Sequence, residues 1–308
     1  MKSDKWIIAL VALGLSIAAP AFPATKPPVP ADFEGDGRSD LALWDPETGQ
    51  WRFADPCNST PDTGCGFSHG HLTGTTGAAV AVPADYDGDG RSDPAYYDPA
   101  RGQWRVVPLP PAGPQRDFQL GEAADIPVPA DYDGDGLADP AVFRPSDGTW
   151  RRVSGVPVQF GLLGDRPVPA DYDGDGIADL AVFRPGGTWI VWRSSDGAVT
   201  YEAWGVSGDV PVPGDYDGDG LADPAVFRGS LWWIQRSRDG AQVVALGSPG
   251  DIPVPADYNG DGAIEPAVYR PPAAQVGPQT RGLWLIAGRP APISFGEPRE
   301  SPVLAPPS

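Results

Sequence analysis

The stretch VPADYDGDGLADPAVFRPSDGTW, residues 128–150, decides how this 308-residue chain is read. It recurs as VPADYDGDGIADLAVFRPGGTW (168–189), VPGDYDGDGLADPAVFRGSLWW (212–233) and VPADYDGDGRSDPAYYDPARGQW (82–104). VPADYNGDGAIEPAVYRPP (254–272) ends the series, and VPADFEGDGRSDLALWDPETGQW (29–51), the most diverged copy, opens it. The leading acids are Asp32, Asp85, Asp131, Asp171, Asp215 and Asp257, at spacings of 53, 46, 40, 44 and 42 residues. Self-similarity at such a period marks a repeat architecture. The long first interval reads as an insertion in the first unit.

Each unit divides into four strand-length segments bounded by Gly, Pro and Asp turns. In the third unit they are IPVPADY, DPAVF, TWRRV and PVQFG. Pro precedes the acidic loop in all six units and Pro or Leu follows it, which leaves no uninterrupted helical stretch. Four strands per 40–50 residues is the pattern of a propeller blade. The chain is therefore expected to be all-β: a six-bladed β-propeller of four-stranded antiparallel blades over residues 25–308. A linear array would leave exposed edges that a ring removes. Near the C-terminus, Phe295-Gly296 followed by Ser301-Pro302-Val303-Leu304-Ala305 echoes Phe160-Gly161 followed by Arg166-Pro167-Val168-Pro169-Ala170. This seventh start, without an acidic loop, predicts a strand that docks on the first blade and latches the ring. The 40 Gly and 39 Pro then have a cause in repeated turns. The 11 Trp, 10 Phe and 9 Tyr exclude a disordered chain.

The acidic loop spells Asp-x-Asp-x-Asp-Gly-x-x-Asp. Acids at positions 1, 3, 5 and 9, with the backbone carbonyl at 7, supply the oxygen shell that a hard calcium ion takes. The expected ligands are Asp131, Asp133, Asp135, Leu137 and Asp139 in the third unit, and Asp171, Asp173, Asp175, Ile177 and Asp179 in the fourth. The fifth offers Asp215, Asp217, Asp219, Leu221 and Asp223, and the second Asp85, Asp87, Asp89, Arg91 and Asp93. The first departs with Glu34 among Asp32, Asp36, Arg38 and Asp40. The sixth departs with Asn259 and Glu265 among Asp257, Asp261 and Ala263. Up to six Ca2+ ions are expected, with the sixth site weakest because it loses a charge. An EF-hand would need a Glu at position 12 between helices. Here position 12 is Val142, Val182, Val226 or Val268 on a strand.

These units resemble the FG-GAP (VCBS) repeats of integrin α-chain propellers and of bacterial secreted proteins. The matching elements are Phe160-Gly161 with Gly164-Asp165, Pro169-Ala170-Asp171, and the loop to Asp179. The resemblance spans about residues 28–305. It implies a β-propeller with calcium in its blade hairpin loops, serving adhesion or ligand binding. The integrin-like ring has seven blades, whereas this sequence counts six.

Further patterns recur. Arg144, Arg184, Arg228 and Arg270 follow the first ligand by 13 positions, and Asp125, Asp165, Asp209 and Asp251 precede it by six. The first unit inverts the signs with Asp45 and Lys26, and the second has Asp98 and Ala79. We expect an intra-unit ion pair in the five units that keep opposite charges at these positions; the alternative is an arginine ring for anionic ligands. Trp51, Trp104, Trp150, Trp189, Trp232 and Trp284 open the third strands and are expected to pack between blades, with sugar stacking as the alternative. Tyr86, Tyr132, Tyr172, Tyr216 and Tyr258 are expected to brace the loops.

Residues 1–24 read as a secretory signal peptide: Lys2 and Lys5, the apolar run Trp6–Ala19, then cleavage after Ala21 or Ala24. Export fits a disulfide between Cys57 and Cys65, the only cysteines. A metal cluster of these with His69 and His71 is a weaker fit. The expected location is secreted, periplasmic or cell-surface, with no membrane span after signal removal and a monomeric state. The net charge of −19 disfavours nucleic acid. The loops hold 23 of the 41 acids, so six calcium ions would leave −7, or −8 for the mature chain. No nucleophile motif or phosphate loop is present, so no catalysis is expected. The functional expectation is a calcium-stabilised adhesion or ligand-binding scaffold for a protein or cell-surface glycan. The alternative is a lectin with sites between blades or on one face.

Overall fold

Short apolar runs cut by Gly, Pro and Asp turns give short strands, and here they form six antiparallel sheets of four strands each. The computed structural model describes residues 31–45, 47–56, 67–71, 79–109, 114–272, 281–296 and 301–303. The expected signal peptide (1–24), the expected Cys57–Cys65 disulfide and Lys26 lie outside them. Blade 3 is typical: Ile126–Pro127, Ala141–Arg144, Thr149–Arg152 and Val158–Gln159 pair in chain order. No helix occurs among the described residues, so none there is long and apolar enough to cross a membrane.

The first strand is shorter than IPVPADY suggests. Its ladder covers two residues, and Ala130 meets Asp139 only through an isolated bridge. Pro127 and Pro129 lack the N–H that a continuous ladder needs.

Blade 1 combines distant parts of the chain. Leu41–Asp45, Gln50–Ala54 and Phe67–His71 are completed by Ser301–Pro302, which pairs with Trp44 and Leu43. The Val303 N–H then donates to the Ala42 carbonyl at 2.9 Å. The latch expected from the C-terminal echo is in place. Pro27, at the position of Ile126, has no N–H to offer such a ladder, whereas Ser301 has one.

The core is a ring of six clusters, each shared by neighbouring blades. Trp104 packs in one cluster with Val142 of the next blade, Trp150 with Val182, Trp189 with Val226 and Trp232 with Val268. Leu41 and Leu43 of blade 1 close the circle against Tyr269 and Trp284 of blade 6. The position that would be an EF-hand glutamate is thus a fully buried valine between blades. The Trp indoles are buried as well. Five of them donate Nε1–H to a carbonyl at the end of the fourth strand, at 2.7–3.2 Å. That tie fixes each indole in its blade, and burial closes its face to a sugar.

The Phe-Gly pair ends the fourth strand for a steric reason. Phe160 N–H donates to the Gly148 carbonyl at 2.8 Å. A Cβ on Gly148 would sit 2.3 Å from the Gly161 carbonyl oxygen, and both glycines have positive φ, 72° and 128°. Two side-chain-free residues let the turn and the strand end meet.

The expected ion pairs form in blades 3 to 6. Arg144, Arg184, Arg228 and Arg270 each grip Asp125, Asp165, Asp209 or Asp251 with two hydrogen bonds of 2.6–3.0 Å. Each Asp also accepts the N–H three residues before it, at 2.8–3.0 Å. In blades 1 and 2 the acid turns onto its own hairpin: Asp45 accepts from Glu47 and Thr48 N–H, and Asp98 pairs with Arg101.

Candidate metal centres

In blades 2 to 6 the acidic loop joins the first strand to the second; in blade 1 it leads into Leu41–Asp45, the second strand, because the first comes from the C-terminal segment. In each loop the Asp at position 1 is the hub. Oδ1 accepts the N–H of the glycine at position 4 at 2.6–2.7 Å. Oδ2 accepts the N–H of the glycine at position 6 at 2.8–2.9 Å. The acid at position 5 accepts the N–H at position 7 at 2.9–3.0 Å. The acid at position 9 accepts the N–H at position 2 at 2.8–3.2 Å. The loop tyrosines brace as expected: each hydroxyl donates to the carbonyl of the valine just past the first strand at 2.6–2.8 Å.

The loops also hold one another. The position-8 N–H of each donates to the position-1 carbonyl of the preceding loop at 2.7–2.8 Å. The donors Ser92, Ala138, Ala178, Ala222 and Ile264 reach Asp32, Asp85, Asp131, Asp171 and Asp215, and Ser39 reaches Asp257, closing the circle. The position-7 side chain lies over the neighbouring loop's position-4 glycine, as Leu137 does over Gly88 and Ile177 over Gly134. A Cβ at Gly88 would lie 2.7 Å from Leu137. Sequence reasoning had given position 7 only a carbonyl role; its side chain sets the loop spacing too.

In blades 2 to 5 the acids at positions 1, 3 and 9 converge, with one oxygen of each within 4.8 Å of the others. These groups are Asp85, Asp87 and Asp93; Asp131, Asp133 and Asp139; Asp171, Asp173 and Asp179; and Asp215, Asp217 and Asp223. The position-5 acids Asp89, Asp135, Asp175 and Asp219 lie outside those groups. In blade 1 the convergent acids are Glu34, Asp36 and Asp55. Asp55, just past the third strand, was missed because it lies outside the repeating loop. In blade 6 the Asn259 amide donates to Asp261 at 3.1 Å and also to Glu265.

Burial, then the neighbouring carboxylates, push the position-9 acids up. Asp40 rises to about 8, Asp93 and Glu265 to about 7, and Asp179 and Asp223 to about 6. Asp139 is raised too. One observation tests the fit of a cation directly. No hydrogen bond reaches Asp217 Oδ1, although that side chain is only 1 % exposed; the Arg238 guanidinium lies 4.0 Å away. Asp173 Oδ1 is likewise buried and unbonded. A buried carboxylate oxygen without a donor is costly unless a positive charge meets it. All-oxygen donors of this kind suit a hard divalent cation.

The FG-GAP repeat family model matches residues 163–201, which are blade 4 from its entry turn into its outer strand. No curated protein matches the chain. Among solved structures, similarity extends to an Agrocybe aegerita lectin described as recognising non-reducing terminal N-acetylglucosamine. The identity is 18%, over 79% of this chain and 74% of that one, with a TM-score of 0.48. TolB from Acinetobacter baumannii matches at 16% identity, over 91% of this chain and 66% of that one, with a TM-score of 0.45. Saccharomyces cerevisiae Sqt1 matches at 11% identity, over 91% and 99%, with a TM-score of 0.36. None of these likenesses bears on what this chain binds. The family model is thus seated on blade 4 of a six-bladed β-propeller, and the acidic loop of that blade recurs in the other five.

Proposed function

We propose that this propeller is an exported, calcium-binding scaffold that presents a binding surface to a protein or cell-surface glycan and performs no catalysis. The observation that carries the calcium reading is the buried, unbonded Asp173 Oδ1 beside Asp171 and Asp179. In each loop the side chains at positions 1, 3, 5 and 9, acids except for Asn259 in blade 6, and the carbonyl at 7 would hold the ion, joined by Asp55 in blade 1. Calcium would supply charge neutralisation and rigidity rather than reaction chemistry. The basic, apolar start of the sequence supports export through a signal peptide within residues 1–24. Sites in extracellular modules bind in the range of about 10⁻⁴–10⁻³ M. Millimolar calcium should therefore raise the melting temperature, and excess chelator should lower it, by linkage. An unchanged melting temperature in chelator would refute the calcium reading. The recurrent indoles are closed to sugars, so a protein partner is the better-supported ligand class. A glycan array run with and without calcium tests the lectin alternative.

A further inference from the structure

Three blades share one acidic loop but cover it differently. In blade 4 the turn between Thr188–Trp192 and Val199–Ala203 folds back over the loop. The Ser194 N–H donates to Asp179 at 2.7 Å and its hydroxyl to Asp175 at 2.8 Å. The Ser195 hydroxyl donates to Asp173 Oδ2 at 2.6 Å. Blade 5 repeats this. Ser237 donates its N–H to Asp223 and its hydroxyl to Asp219, both at 2.6 Å. The Arg238 and Asp239 N–H groups reach Asp217 Oδ2 at 3.1 and 2.9 Å. In both blades the turn thus fixes one oxygen of the position-3 acid and leaves the other, Oδ1, buried and unbonded in the cluster.

The fixed charge brought by the turn is what differs. Blade 4 meets its loop acids only with hydroxyls and N–H groups, and the Arg193 of its turn is paired with Asp196. Blade 5 brings Arg238, half exposed, whose guanidinium donates to the Asp217 carbonyl and lies 4.0 Å from Oδ1. Blade 3 brings Arg152 at the end of its third strand. Its Nη1 donates to the Tyr132 carbonyl at 3.2 Å and lies 3.9 Å from Asp139 Oδ2, with the guanidinium 5.6 Å from the Tyr132 ring centroid. A guanidinium stays protonated at any working pH. Beside the carboxylates it supplies positive charge that a divalent ion would otherwise supply, and it repels that ion.

We propose that the residues at and just past the end of each blade's third strand set the cation affinity of that blade's acidic loop, with blade 4 the tight site and blades 5 and 3 weakened by Arg238 and Arg152. This rests on the calcium reading above. The test is the set of stepwise calcium-binding constants of the full chain, measured by competition with a chromophoric chelator. Arg152→Gln and Arg238→Ser should each tighten one site about three- to fivefold, and Ser195→Arg should weaken the tightest site by a similar factor. All three effects should shrink between about 0.05 and 0.5 M salt, because charge repulsion is screened and packing is not. Three unchanged binding profiles, in a protein that still takes up calcium, overturn the proposal and leave the calcium reading standing. A wild-type chain that takes up no calcium overturns both.

Discussion

The ninth-position acid of each loop is where burial and charge work hardest against each other. Asp40 is pushed up to about 8 and Asp93 and Glu265 to about 7, by burial first and neighbouring acids second. A carboxyl raised in the fold keeps its proton where the unfolded chain, titrating near 4, has lost it. The metal-free protein therefore loses stability as pH rises through about 4 to 8. Calcium favours the ionised form, so its stabilisation should grow over the same range. Melting temperatures in chelator are expected to fall from pH 5 to pH 8 while the gap to the calcium-loaded protein widens. A constant gap would contradict this. The neighbouring tyrosine makes a smaller, separable contribution. Tyr216→Phe removes the 2.7 Å bond to the Val212 carbonyl, and blade 1 carries Phe33 at that position. The expected cost in urea unfolding is about 1 kcal/mol.

Single turns and pairs hold the elements together. Gly186 and Gly187 both have positive φ, 113° and 95°, but only one faces an obstacle. A Cβ on Gly187 would lie 2.1 Å from the Gly205 carbonyl oxygen, whereas nothing lies within 4 Å of one on Gly186. Gly186→Ala should cost only backbone strain, roughly 1–2 kcal/mol, and Gly187→Ala clearly more, because two backbone segments must move apart. Equal costs in denaturant unfolding would remove the steric account of the Phe-Gly motif. The Arg–Asp pairs act at the same scale. Asp165 is 2 % exposed while Arg184 is about a third exposed. Arg184→Ala strands a buried carboxylate that keeps only the Leu162 N–H among its bonds here, at about 2–3 kcal/mol after allowing for solvent at the arginine.

At the scale of the molecule, one short strand completes the ring. Ser301–Pro302 covers the inner edge of blade 1, and Val303 is buried against it. Removing residues 301–308 takes away that ladder and exposes the edge of Leu41–Asp45. We expect a fall of roughly 10 °C in Tm, from a loss near 3 kcal/mol, and concentration-dependent association at the free edge. An unchanged Tm in the monomeric truncated chain would show that the ring of loop-to-loop hydrogen bonds holds the circle without the latch.

The repeat, the four strands per unit, the six loops and even the C-terminal latch were legible in the sequence. Each is written in local terms: a period, a turn residue, a ligand spacing, a truncated copy. The Arg–Asp pairs were legible too, because six copies expose a charge correlation that one copy would hide. What the tertiary structure decided lies between repeats. Asp55, Ser194, Ser195, Arg152 and Arg238 reach the loops from the third strand's end or from segments of varied length and sequence just past it, so no register in the chain aligns them. The hydrogen-bonded circle of loops joins backbone groups, which carry no residue signature at all. The sequence determined that six similar acidic loops would exist. Only the packing of blade on blade, and of each turn on its loop, decided how unlike their surroundings would be, because charges separated along the chain act on each other through distance in space.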